Sequence, residues 1–413
     1  MYVIGSRQSP ESHLLRDFLT RTAQPYEFHE SSSPEAARLL AEAGAPRAEL
    51  PAVVEGRTVH AGVTPAALAE AWSVQSRPSL SHYDMAIIGA GPAGLAAAVY
   101  AASDGLSTVV FERDVPGGQA SHTSQIENFF GFPDGIGGAE LARRAGRQAE
   151  RFGADLLILS GVARGWMEDG KSHLLGDAGD EVTAEVTLAA PGMVWRLLEI
   201  EGVEDLLGRG VYYGAGRSEA LGCNGDDVVV IGAGNSAGQA AMHLAETGAR
   251  VQMVVRGDSP GKSMSAYLVD RIDRHPLVNV RLRTQVTALH ERDGCLDAVT
   301  VEDGGGAAER LRARALFICI GGQPRTGWAA EAGVRTDAAG YLLTGPDLLD
   351  GSVRPEGWPL DRDPLVLETN IPGFFAAGDV RHGSTKRVGG AVGEGAMAAA
   401  LAHRRLAELE GAG

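Results

Sequence analysis

The chain has 413 residues, 44% hydrophobic and 22% charged, with a formal net charge of −16. That length exceeds what one core usually serves, so two or three domains are expected. The acidic balance argues against nucleic acid and anionic membrane as partners, and no apolar run reaches the roughly eighteen residues of a membrane span. The opening MYVIGSRQSP lacks a basic start and a long apolar run, so no signal peptide is expected. Three cysteines, Cys223, Cys295 and Cys319, lie far apart and form no Cys-x-x-Cys. This usage suits a reducing cytoplasm and offers no disulfide framework. No metal site is expected.

Residues 2–5 read as a strand and 10–22 as a helix, with Leu14, Leu15, Phe18 and Leu19 at helical spacing. Ser9 can cap that helix and Pro10 suits its first turn. A strand at 26–29, a helix at 34–43, a hairpin around Gly56 and a helix at 64–72 follow. This βαβαββα order resembles a glutaredoxin-like thioredoxin fold, which implies a cis Leu50–Pro51 bond. The redox motif of that fold should follow the first strand. Here the chain reads Gly5-Ser6-Arg7-Gln8-Ser9-Pro10, and residues 1–75 hold no cysteine. The small domain is therefore redox-inactive, and serves either docking or dimerisation or acts as a stabilising appendage. Residues 76–82, with Pro78, form a linker.

A strand at 85–88 runs straight into Gly89, Gly91 and Gly94, then an Ala-rich helix, then a strand at 108–111 ending on Glu112. This is a dinucleotide fingerprint in its strand–turn–helix–strand context. Gly89 permits the tight turn, Gly91 the approach of a pyrophosphate, and Gly94 close packing of helix on strand. The helix N-terminus faces the phosphates, and Glu112 can accept hydrogen bonds from a ribose. A helix at 140–152 ends at Gly153.

The pattern recurs at 227–231. Gly232, Gly234 and Ala237, with Asn235 and Ser236 between, form GxGxxA ahead of another Ala-rich helix. The following strand, 251–255, ends on Arg256 with no acid there. An Arg in that place suits a 2′-phosphate, so NADPH is preferred over NADH, with NADH possible. Lys262 is a candidate second cation. Cys319 sits in the apolar run 315–320 and reads as core, and Cys295 follows the Asp293-Gly294 turn.

Gly117-Gly118-Gln119, Ile126-Glu127-Asn128, the GFP–GI–G–EL run over 131–141 and the strand ending in Gly378-Asp379 together resemble low-molecular-weight thioredoxin reductases. These are FAD- and NAD(P)-binding pyridine nucleotide-disulfide oxidoreductases, and the likeness runs over most of 83–413. It implies an α/β fold of two Rossmann-like domains. The FAD domain is 83–196 plus 323–413, with the NAD(P) domain 197–322 inserted and the small domain 1–75 in front. It also implies that Gly117, Gly118, Gln119 and Asn128 lie at the flavin and that Val162 meets the adenine. Asp379 binds the ribityl or pyrophosphate side. Lys386, Arg387 and Val388 stand beside the ring, ahead of a helix at 392–409. Relatives assemble as homodimers and carry a Cys-x-x-Cys whose positions here are Gly214 and Arg217.

Three functions stay open. One is a reductase passing electrons from flavin directly to a protein or small molecule. Another is a thioredoxin or low-molecular-weight disulfide reductase using Cys223 or a partner's cysteines. The third is a non-catalytic flavin-binding redox sensor.

Overall fold

The computed structural model describes residues 1–214, 220, 222–262 and 264–411. Arg217 lies outside them, as does the side chain of Lys262.

The first elements are β1 (Tyr2–Gly5), α1 (Pro10–Arg21), β2 (Glu27–Glu30), α2 (Pro34–Glu42), β3 (Ala52–Glu55), β4 (Thr58–His60) and α3 (Pro65–Ala71). The strands form one sheet in the order β2-β1-β3-β4, with β1 parallel to β2 and antiparallel to β3. Each helix opens on a proline preceded by a hydroxyl residue. Ser9, Ser33 and Thr64 accept from the N–H groups of Ser12, Ala36 and Ala67, each at 3.2 Å. These local bonds satisfy donors that a helix start otherwise leaves open. The Leu50–Pro51 bond is cis, as expected.

Next come β5 (His82–Ile88), α4 (Pro92–Ser103), β6 (Thr108–Glu112), α5 (Gly138–Arg151), β7 (Asp155–Ile158), β8 (Val162–Glu168), β9 (Lys171–Gly176) and β10 (Glu181–Ala189). They build a sheet in the order β7-β6-β5-β10-β9-β8. The strands β7, β6, β5 and β10 run parallel, whereas β8, β9 and β10 form an antiparallel meander. Helix α4 is made almost wholly of small and apolar residues, with Tyr100 half exposed on its outer face. Gly94, Leu95, Ala97, Ala98 and Ala101 are buried in it. Segment 76–82, expected as a linker, is tied down together with the residues before it. Asp155 accepts from Ser79 N at 2.7 Å, Gln75 Nε2 at 3.0 Å and the Tyr83 hydroxyl.

After β11 (Met193–Trp195) come β12 (Val211–Tyr213), β13 (Asp227–Ile231), α6 (Asn235–Glu246), β14 (Arg250–Val255), α7 (Ala266–Arg274), β15 (Val278–Leu282), β16 (Thr284–Arg292), β17 (Cys295–Asp303), β18 (Ala308–Arg312), β19 (Ala315–Ile318) and β20 (Gly322–Pro324). A parallel sheet, β12-β19-β13-β14-β15, is joined by the antiparallel β16-β17-β18. The central strands β13 and β19 are nearly continuous buried apolar runs, as strands covered on both faces must be. Last are β21 (Phe374–Ala376), paired with β10, and α8 (Val388–Glu410). Helix α8 starts four residues earlier than the expected 392. Val388 is its first residue and Arg387 its cap position.

Two compact units result. One holds Met1–Trp72, His122–Gln125 and Trp195–Gly322; the other holds Ser73–Ser121, Ile126–Val194 and Gln323–Gly413. No helix among the described residues is long and apolar enough to cross a membrane.

Candidate functional site

The register places the first fingerprint at a switch point. Ile88, the last residue of β5, pairs with Phe111 on one side and Ala189 on the other. Gly89 leaves the sheet between those neighbours, at the carboxyl ends of the strands, where open α/β sheets bind ligands. Its φ is +101°, and a Cβ there would stand 2.4 Å from the Ala190 carbonyl oxygen. A Cβ on Gly94 would stand 1.9 Å from the Gly89 oxygen. The turn and the first helical turn therefore press together with no room for a side chain. By contrast, nothing lies within 4 Å of a Cβ built on Gly91, which leaves open space beside the start of α4. That helix has no side-chain cap, nor do α5, α6, α7 and α8. The three helices of the small domain are all capped. The uncapped ends present N–H groups and positive dipole to an anion.

Glu112 ends β6 and is 7% exposed. Its Oε2 accepts from Ala90 N at 2.7 Å and its Oε1 from Asp114 N at 2.9 Å. These bonds aim the carboxylate and leave lone pairs for ribose hydroxyls. It lines a cavity of about 310 Å³ together with Gly89, Gly161, Val162, Arg113, Arg325 and Trp328. Burial, with the charge of Arg113, pushes the Arg325 guanidinium below its ordinary value. A cavity with an anchored carboxylate and two arginines beside an uncapped helix suits a dinucleotide. Sequence reading placed Glu112 and Val162 here and missed Arg113, Arg325 and Trp328. Arg113, next to Glu112, was visible as a basic residue, whereas nothing local marks Arg325.

Gly117 and Gly118 fold back on the fingerprint. Gly117 N donates to Ala90 O at 2.7 Å, and a Cβ on Gly118 would stand 3.5 Å from Gly91 Cα. Gln119 Nε2 donates to Met193 O at 3.2 Å. Asn128 is exposed and does not line the cavity. On the far side of α4, a Cβ on Gly378 would lie 3.0 Å from Ala93 Cβ, bringing Asp379 to the helix start. Burial raises the Asp379 carboxyl above the usual range, with Lys386 opposing. Lys386 Nζ donates to Asp379 O at 2.7 Å and lies 4.1 Å from the Tyr341 ring centroid. Lys386, Arg387 and Val388 thus lead into the uncapped end of α8. A raised, half-buried carboxylate calls for a hydroxyl-bearing ligand. The residues fit FAD.

The second fingerprint repeats the first in the other unit. Ile231 pairs with Val254 and Ile318, and a Cβ on Gly232 would stand 2.3 Å from the Cys319 oxygen. Ala237 takes the third position, 3.0 Å from that Cβ, and Gly234 faces open space. Asn235 Oδ1 accepts from Ser265 N at 2.7 Å, joining the starts of α6 and α7, and Ser236 is exposed. Arg256 follows β14 and is exposed, and Lys262 ends the short turn Pro260–Lys262.

Two of the three thiols are buried. Cys223 is 5% exposed and Cys319 6%, both within the core around α6. Burial pushes the Cys319 thiol up to about 12, where almost no nucleophilic thiolate exists at neutral pH. Cys295 opens β17, after the Asp293-Gly294 turn.

Residues 83–395 match the family model described as pyridine nucleotide-disulphide oxidoreductase. A thioredoxin reductase of Bacillus subtilis (strain 168) is 32% identical over 333 residues, 79% of this chain and 96% of that protein. One from Neurospora crassa is 33% identical over 345 residues, covering 80% and 95%. The Lactococcus lactis thioredoxin reductase structure (FR conformation) is 29% identical with a TM-score of 0.69, covering 79% of this chain and 99% of that one. The chain belongs to the pyridine nucleotide-disulphide oxidoreductase family, in its thioredoxin reductase-like branch, and is an FAD-dependent NAD(P)H oxidoreductase whose cofactors are FAD and NADPH.

Proposed function

We propose that this enzyme passes electrons from its flavin directly to an external acceptor, without an internal dithiol. FAD, when bound, would supply the redox chemistry, hydride acceptance from NADPH and two-electron delivery. The first fingerprint, Glu112, Asp379 and the start of α8 bind and orient it within the proposed FAD domain, 83–196 plus 323–413. The second fingerprint, within 197–322, holds the nucleotide. The observation that carries this reading is the pair of glycine cradles together with the burial of Cys223 and Cys319. Thiol exchange needs an exposed thiolate and a second thiol to release the mixed disulfide. The expected result is steady NADPH oxidation with ferricyanide or a quinone, unchanged by Cys223→Ser. Thioredoxin-coupled reduction of a chromogenic disulfide at about one turnover per second or faster would overturn the reading.

The same reading includes a preference for NADPH over NADH, supported by exposed Arg256 at the end of β14. Arg256→Ala is expected to cost roughly tenfold in kcat/KM for NADPH, a charge-assisted contact of about 1.4 kcal/mol, and little for NADH. Equal losses with both nucleotides would remove Arg256 from the 2′-phosphate site. An apolar groove of about 370 Å³ lined by Leu95, Val99, Tyr100, Phe129, Leu141 and Phe152 supports a homodimer, and the three scattered cysteines support a cytoplasmic location. The β2-β1-β3-β4 sheet supports a thioredoxin-like reading of the cysteine-free first domain.

A further inference from the structure

The parallel register sets two arginines side by side at the carboxyl edge of the sheet that carries the second fingerprint. Val255 of β14 pairs with Leu282 of β15, so the next residues, Arg256 and Arg283, leave adjacent strands at the same level. Both strands lie in one compact unit with that fingerprint. Gly232 N donates to Val254 O at 3.1 Å, so the glycine turn lies one strand away from Arg256. Arg283 N donates to Gly257 O at 2.8 Å and ties the two strand ends together. Arg283 is the single residue between β15 and β16. Its φ is +51°, in the left-handed region that glycine, and at times Asn or Asp, enters at little cost. The turn alone would be better served by one of those residues, so it does not account for an arginine. A Cβ on Gly304 would stand 3.5 Å from Arg283 Cβ. Backbone from two neighbouring segments thus holds the position, which is not carried on a free loop.

An ion pair does not account for it either. Arg250, Arg271, Arg281 and Arg314 of the same unit each reach a carboxylate, at 2.6, 2.7, 2.6 and 3.7 Å. Among the described residues, Arg256 and Arg283 have no carboxylate partner, and both are exposed. Two unpaired guanidinium groups at neighbouring strand ends suit a doubly charged anion with several acceptor oxygens. In this fold the ribose of the nucleotide lies beside the end of the strand after the fingerprint helix, which is β14. A phosphate on its 2′-oxygen, on the side away from the pyrophosphate, meets β15. We propose that Arg283 is a specificity-determining residue for NADPH, closing with Arg256 a two-arginine clamp on the 2′-phosphate. This deepens the NADPH preference read above from Arg256 and rests on it. Sequence reading sought the second cation downstream, at Lys262, whereas the register supplies one on the next strand.

Two probes test the clamp: adenosine 2′,5′-bisphosphate, which carries the 2′-phosphate, and 5′-AMP, which lacks it. Calorimetric titration of the full-length, FAD-loaded protein gives both dissociation constants for the parent, Arg283→Ala, Arg283→Lys and Arg283→Asn. Arg283→Ala is expected to weaken the bisphosphate roughly tenfold and to leave 5′-AMP within about twofold. Arg283→Lys keeps the charge and loses the forked donor geometry, so its bisphosphate affinity should fall between those of the parent and the alanine variant. Arg283→Asn suits the left-handed backbone. Its melting midpoint should equal or exceed the parent's while its bisphosphate affinity drops as in Arg283→Ala. That combination separates a lost contact from a damaged fold. The proposal is overturned if Arg283→Ala and Arg283→Asn bind the bisphosphate within about twofold of the parent, or if they weaken both probes equally. A parent chain that binds the two probes equally well sinks the NADPH preference itself, a different outcome from these.

Discussion

Gly94→Ala is expected to yield protein that loses most of its flavin during purification. The added Cβ would stand 1.9 Å from the Gly89 carbonyl oxygen and 3.0 Å from its carbon. That obstacle is backbone and cannot rotate away. Either α4 moves off β5 or the Gly89 turn opens, and both displace the helix start from the phosphates. Overpacking of this kind costs about 1–3 kcal/mol, which is roughly five- to 150-fold in FAD affinity if it falls on the bound state. Flavin fluorescence titration of the apoprotein reads this directly. Gly91→Ala is the control for a different effect. Its Cβ meets no protein atom within 4 Å, so the fold should hold while the added methyl intrudes where the pyrophosphate comes. Unchanged flavin content and melting midpoint in Gly94→Ala would show that the turn and the helix are not packed as described.

Arg362→Ala should lower the stability of its unit by about 3–5 kcal/mol, the cost of stripping the partner from a buried charge. Arg362 Nη1 and Nη2 donate to the two oxygens of Glu368 at 2.6 and 3.2 Å. Its Nε and Nη2 donate to Glu408 at 2.6 and 2.8 Å. Glu368 is fully buried and also accepts from Leu365 N and Gly373 N, each at 2.9 Å. The arginine thus fastens the irregular chain before β21 to the last turns of α8. Without it, the Glu368 carboxylate stays buried with two backbone donors and no cation. A drop of roughly 10 °C in the melting midpoint is expected. Glu368→Gln in the same background should recover part of it, since a neutral amide oxygen still accepts from the two backbone groups. Arg274→Ala, which removes an exposed pair with Asp270, should leave the midpoint where it is. If both arginine variants melt alike, the buried network carries no special stability. The bond from Arg362 holds the Glu408 carboxyl below its usual range of about 4.5. A lowered folded pKa gives stability that is complete above that value and fades as pH falls through the folded one. The difference between parent and Arg362→Ala should therefore shrink in acid.

The sequence by itself determined what depends on near neighbours. Gly89, Gly91 and Gly94 between two apolar strands specify a turn and a helix start through sterics acting over six residues. Ser9, Ser33 and Thr64 before prolines specify helix starts through bonds spanning three. The lack of any Cys-x-x-Cys is a property of the string alone. The first turn of α8 escaped because Gly389, Gly390 and Gly393 weaken helical propensity. Packing makes small residues necessary there: a Cβ on Gly395 would stand 2.0 Å from Ala93 O. What only the tertiary structure decided is every pairing across long separations. Arg325 reaches the cavity of Glu112 across more than two hundred positions, and Asp379 reaches the start of α4 across still more. Cys223, exposed to solvent or not, could not be judged from its neighbours, and the fold buries it. His13 meets Gly208 and Tyr212 because two separately coded sheets share one compact unit. Local sequence fixes dihedral angles and caps, whereas burial and charge partners depend on which surfaces the folded chain brings together.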